Sequence, residues 1–83
     1  MSGSHHHDHE QGDRDLEKLR VLLPHWIEHN EEHATSFQKW AAKARELGRE
    51  ETARHMGKAV ERMAACNDAL AAALEALKLL RCE

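Results

Sequence analysis

Tyrosine is absent from this chain, phenylalanine and proline occur once each, and valine and isoleucine are scarce. Strands draw on β-branched and aromatic residues, so a sheet has almost nothing to build from. No apolar run approaches the ~18 residues that a membrane span needs. No face is obviously basic and the net charge is −3, so nucleic acid is not an expected partner. The N-terminus has no positively charged region followed by an apolar stretch, so no secretory leader is expected. A soluble, cytoplasmic protein with reduced thiols follows as the expectation. Cysteine is limited to Cys66 and Cys82. They lie sixteen positions apart on one expected helix, roughly 24 Å at about 1.5 Å per residue. No bond can join them within that helix, which leaves only an intermolecular bridge.

The usual enzymatic signatures are missing as well. There are no paired carboxylates in a cleft-forming context, no Gly-rich phosphate loop and no nucleophile motif. The order His29-Asn30-Glu31-Glu32-His33 shifts the glutamate one place from where a helical zinc hydrolase would use it as base. No Cys-X-X-Cys-His occurs for haem. An enzyme is therefore not expected.

What the chain does hold is Ala, Glu, Leu, Arg and Lys, all strong helix formers. Its 83 residues suffice for one small domain. Such a domain buries only about 60% of its unfolded surface, and often adds a metal, a disulfide or a partner subunit. Residues 1–13 are polar and aperiodic and read as a disordered His-rich tail, with a helical domain over 14–83. From Leu16 onward Leu19, Leu23, Trp26, Asn30, His33, Phe37, Trp40, Ala44 and Leu47 recur at spacings of three and four. That is a heptad seam. Pro24 lies inside it. Proline suits a first turn but kinks or breaks an interior, so a short helix near 14–23 is expected to kink or restart there and run on to Leu47.

Gly48 fits the left-handed residue after a helix end. A second seam follows in Ala53, Met56, Val60, Met63, Asn67, Leu70, Leu74 and Leu77. Glu50 and Glu51 begin that helix, and Lys78 and Arg81 end it, as the macrodipole favours. So short a link makes an antiparallel hairpin. Further apolar stripes at spacing seven, Ala59, Cys66, Ala73 and Leu80 on helix two and Ile27, Ala34 and Ala41 on helix one, point to neighbours on a second side. The expected fold is all-α, an antiparallel two-helix hairpin dimerising into a four-helix bundle.

His25, His29 and His33 stand at i, i+4 and i+8 on helix one. Residues four apart have Cβ atoms about 5–6 Å apart, and two such imidazoles can share one metal ion. His25 and His33 are ~12 Å apart along the axis, so one ion cannot take all three. If facing residues sum to about 97, Asn30 meets Asn67, and His33, Met63 and Cys66 fall in the same layer. A buried polar layer is either a network that sets register or a site. Asn side chains can also serve as second partners to metal ligands. His33 and His29 are the first candidate ligands, with Cys66 from helix two and His25 on the outer flank. Cys66 is otherwise a small apolar filler. His5, His6, His7 and His9, interrupted by acids, form a candidate metal-scavenging tail or the remnant of a purification tag. Imidazole with some carboxylate suits nickel, zinc, copper or cobalt.

The run Leu-Leu-Pro-His25-Trp26-Ile-Glu-His29-Asn30-Glu-Glu-His33-Ala, followed by Phe37 and Trp40, resembles a small helical domain of unknown function associated with nickel and cobalt handling. More loosely, residues 16–47 resemble the dimeric helical nickel chaperones of carbon monoxide dehydrogenase maturation. The resemblance implies nickel at a dimer interface, with His25 and His33 as the positions carried over. In that family the second histidine lies farther from the Trp, and the His-rich tail is C-terminal. The expected function is a transition-metal carrier, buffer or storage protein, homodimeric, that can hand its metal to a receiving protein. The alternative is a structural or interaction bundle with a polar register layer and no metal.

Overall fold

A computed structural model of the chain describes the backbone of residues 8–82 and the side chains of residues 11–79. It consists of two helices, α1 (Asp8–Glu46) and α2 (Glu50–Cys82), packed antiparallel as a hairpin. Among the described residues neither helix is long and apolar enough to cross a membrane.

The reversal between the helices is built from three residues. Gly48 takes φ +79°, a left-handed conformation that costs a side-chain-bearing residue about 1–2 kcal/mol. The Gly48 amide donates to the Arg45 carbonyl (3.0 Å) and the Arg49 amide reaches back to the Ala44 carbonyl (2.8 Å). This pair of bonds is the Schellman arrangement, which satisfies carbonyls that the helix end leaves open. The Arg49 carbonyl then accepts from the Ala53 amide at 3.0 Å and starts α2. Glu50 and Glu51 lie in the first turn, and Arg45 Nε meets Glu50 Oε1 across the turn at 3.4 Å.

The seam of α2 is the expected one. Ala53 and Leu77 are buried, and Met56, Val60, Met63, Asn67, Leu70 and Leu74 are half-buried between them. The seam of α1 differs from expectation. Leu23, Asn30, Phe37 and Ala44 face α2, but their partners in the heptad are Ile27, Ala34 and Ala41. Trp26, His33 and Trp40 are exposed instead. Alanine at two of three positions lets the helix axes approach closely, which two indoles cannot. The assignment of Trp26, His33 and Trp40 to the inner seam is therefore corrected: the residues that follow them, Ile27, Ala34 and Ala41, each about 100° farther round the helix, take those places.

Other boundaries also move. α1 starts at Asp8, inside the segment expected as tail, and ends at Glu46, so Leu47 belongs to the turn and is 70% exposed. The rest of that segment, with His5, His6 and His7, lies outside the described residues, as does the side chain of His9. α1 passes through Pro24 without interruption, so the restart expected there is absent. Arg20 occupies a seam position level with Leu77. Its Nη1 pairs with Glu17 Oε2, while its Nε is buried with no hydrogen-bond partner.

Candidate functional site

The three histidines of α1 form a ladder along one ridge. The rings of His25 and His29 stack with centroids 6.0 Å apart and planes at 21°. Those of His29 and His33 are closer, 4.5 Å, and tilted by 53°. Phe37 continues the ladder 6.0 Å from His33. All three histidines are exposed, so the imidazole nitrogens are open to a solute. The i, i+4 spacing of a helix is what brings the rings together. His29 and His33 form the tightest pair, the spacing at which two imidazoles can converge on one ion.

Behind the ladder lies the polar layer expected from register. Asn30 Nδ2 donates to Asn67 Oδ1 at 2.9 Å, and Asn67 Nδ2 donates to the Ile27 carbonyl at 3.1 Å. The two residue numbers sum to 97, the value inferred from the position of the turn. Both side chains are half-buried and joined to one another, so the layer is satisfied without a ligand. The Ile27 contact was not visible in the sequence, because nothing in a heptad pattern marks which carbonyl a side-chain amide will reach.

Cys66 stands at the same level. Its Sγ is 3.8 Å from Asn30 Nδ2, and it lines a groove with Phe37, Ala59 and Met63. Asn30 and Phe37 lie one turn before and one turn after His33, so Cys66 and His33 share a level of the hairpin. Cys66 is a free, exposed thiol and not the buried filler that its apolar surroundings suggested. His55 lies elsewhere, exposed, with Nε2 3.5 Å from Glu51 Oε1.

Among the described residues, no three His, Cys, Asp or Glu side chains converge as a group that could hold a metal ion. One hairpin offers pairs: His25 with His29, or His29 with His33. A pair is an incomplete coordination sphere, since four ligands are the rule for zinc and similar ions. The remaining donors must come from water, another segment or another chain.

The molecule is thus an antiparallel helical hairpin with a satisfied asparagine layer inside and a histidine ladder outside. It belongs to a family defined as a domain of unknown function (DUF8180), whose model matches residues 19–77, well over half of the 83. The matched span runs from Leu19 to Leu77 and so includes the ladder and Cys66 but none of the tail histidines. No curated protein and no solved structure matches the chain.

Proposed function

We propose that this protein binds a transition metal through the helix-one histidines and acts as a carrier, buffer or storage protein, without enzymatic activity. The observation that carries this reading is the 4.5 Å approach of the His29 and His33 rings on an open ridge. Borderline metals favour imidazole, and nickel, zinc, copper and cobalt all fit such donors. Nickel is favoured by the resemblance of residues 16–47 to nickel chaperones. His25 extends the ridge to a second pair, and His5, His6, His7 and His9 add a loosely held supply. The functional unit is a homodimeric four-helix bundle in the cytoplasm that passes its metal to a receiving protein. Pro24 bends α1 locally, because its ring crowds the Arg20 carbonyl and supplies no amide to it.

The test is the metal content of the full chain carrying alanine at His5, His6, His7 and His9, purified without an affinity column. Metal retained at a fixed ratio to protein supports a site on the hairpin. Metal-free protein that also takes up none of the four ions rejects it.

A second reading has its own support. The Asn30–Asn67 hydrogen bond is a device that fixes register in helical pairs. A bundle that only presents surfaces to partners needs that layer and no ion. It predicts that adding metal or chelator leaves the melting temperature unchanged.

A further inference from the structure

The hairpin has two unlike broad faces. On one, the grooves between the helices are lined by Glu31, Thr35, Gln38, Glu61 and Asp68 among smaller apolar groups. On the other, Leu19, Leu23, Ala73, Ala76 and Leu77 line a groove at one end, and Phe37, Ala59, Met63 and Cys66 line another toward the turn, together with His55, Lys58 and Arg62 of α2. Two stripes at spacing seven run along this second face. On α1 they are Leu19, Trp26, His33 and Trp40, with Leu47 following in the turn, and on α2 Ala59, Cys66 and Ala73. Leu19 and Ala73 line the same groove, so both stripes lie on one side. Trp26 is 40% exposed and Trp40 55%. Neither stripe carries a formal charge other than what His33 and Cys66 can acquire.

The area left open is large. The chain exposes 6694 Å², where a compact monomer of 9.5 kDa exposes about 5,000 Å². That excess is about twice the ~800 Å² that each partner buries in a standard interface, so the chain has surface enough to bury one. The molecule is only 15 Å across its shortest axis, little more than one helix, and among the described residues none covers this face.

Self-complementarity identifies what does. The stripe Leu-Trp-His-Trp-Leu reads the same in both directions about His33. A two-fold axis across the helices at His33 maps that stripe onto itself, and an axis along the helices keeps every level in place, so either returns the His33–Cys66 level to itself. Along the helices the match is better: Trp26 sits over the partner's Ala73 and Trp40 over the partner's Ala59, large onto small. Every neighbouring pair of helices is then antiparallel, as in up-down-up-down bundles.

We infer that a second copy of this chain closes the Trp26–Trp40 face, and that His33 and Cys66 of the two copies together form a four-donor site for a zinc-class divalent metal. The donor set is two imidazoles and two thiolates, the combination that structural zinc takes in tetrahedral geometry. On binding, each Cys66 thiol releases its proton to solvent, and the ion bridges the copies. The metal half of this inference rests on the proposed metal-binding function. The interface half stands on the face alone.

The test is a cobalt titration of the full chain carrying Cys82→Ser, reduced and oxygen-free, read by absorption, with sedimentation equilibrium alongside. Cobalt is chosen because only a thiolate ligand produces the intense near-ultraviolet charge-transfer band, so histidines in the tail do not contribute to it. The expected result is a dimer whose band saturates at one cobalt per two chains. Cys66→Ser abolishes the band, His33→Ala weakens the binding roughly tenfold or more, and Trp26→Ala with Trp40→Ala weakens the dimer at least tenfold. The same readout overturns the inference if the chain sediments as a monomer at tens of micromolar with cobalt present. Cobalt bound without a thiolate band also overturns it, while leaving the histidine-pair function intact. No cobalt bound at all overturns the inference as well, and uptake of nickel, zinc and copper by the same chain then decides the histidine-pair function separately.

Discussion

Asn30 and Asn67 meet in the middle of a mainly apolar seam, and each has its amide occupied. A satisfied hydrogen bond of this kind contributes only about 1 kcal/mol net, whereas an orphaned buried amide costs about 1–3 kcal/mol. Asn67→Ala should therefore destabilise the chain by roughly 1–2 kcal/mol in urea unfolding. Replacing both by leucine should hold or raise stability while loosening register, visible as broadened or doubled NMR resonances for the flanking residues. A double substitution as destabilising as Asn67→Ala alone would contradict this assignment. The histidines behave differently, because they are exposed and their value lies in what they bind. His29→Ala with His33→Ala should leave the unfolding free energy of the metal-free chain within about 0.5 kcal/mol of wild type, as surface changes do. Metal binding should weaken in acid, because protons compete with the ion for the imidazole nitrogens. Nickel affinity that stays constant from pH 8 to pH 5 would argue against histidine ligands.

At the scale of the helices, α2 was legible and α1 only half so. Every residue of the α2 seam from Ala53 to Leu77 was apparent because the larger side chains, Met56, Val60, Met63, Leu70, Leu74 and Leu77, fall on that stripe, whereas the second stripe is mostly alanine, and Gly48 marked the turn by its conformational freedom. In α1, Leu23, Asn30, Phe37 and Ala44 can pair either with Trp26, His33 and Trp40 or with Ile27, Ala34 and Ala41. Both sets are periodic. What separates them is volume at close approach, a property of the two helices together and not of either pattern. The polar layer was legible because the turn position fixes which residues face each other. The exposure of His33 was not, for the same reason that misplaced the tryptophans. Two variants probe this level. Gly48→Ala must hold a left-handed backbone with a Cβ and should cost about 1–2 kcal/mol in thermal unfolding. Arg20→Leu removes a guanidinium whose Nε is buried without a partner and puts an apolar side chain level with Leu77. It should raise stability by about 1 kcal/mol. A loss of that size would instead mean that the Arg20–Glu17 contact outweighs the orphaned nitrogen.

For the whole molecule, the hairpin is a scaffold one helix thick that turns a polar face one way and a tryptophan-lined face the other. Membership in the family spans Leu19 to Leu77, which includes the ladder and none of the tail histidines. If the ladder holds an ion only when folded, saturating metal must stabilise the fold, by about 2.7 kcal/mol at a hundredfold excess over the dissociation constant. Differential scanning calorimetry with nickel and then chelator should show that rise and its reversal. The most direct test of metal binding by the helix is isothermal titration with nickel on the full chain carrying alanine at His5, His6, His7 and His9, compared with the same chain also carrying His29→Ala and His33→Ala. The account predicts saturable binding in the first that is weakened at least tenfold in the second. Equal binding in both, or none in the first, would contradict it.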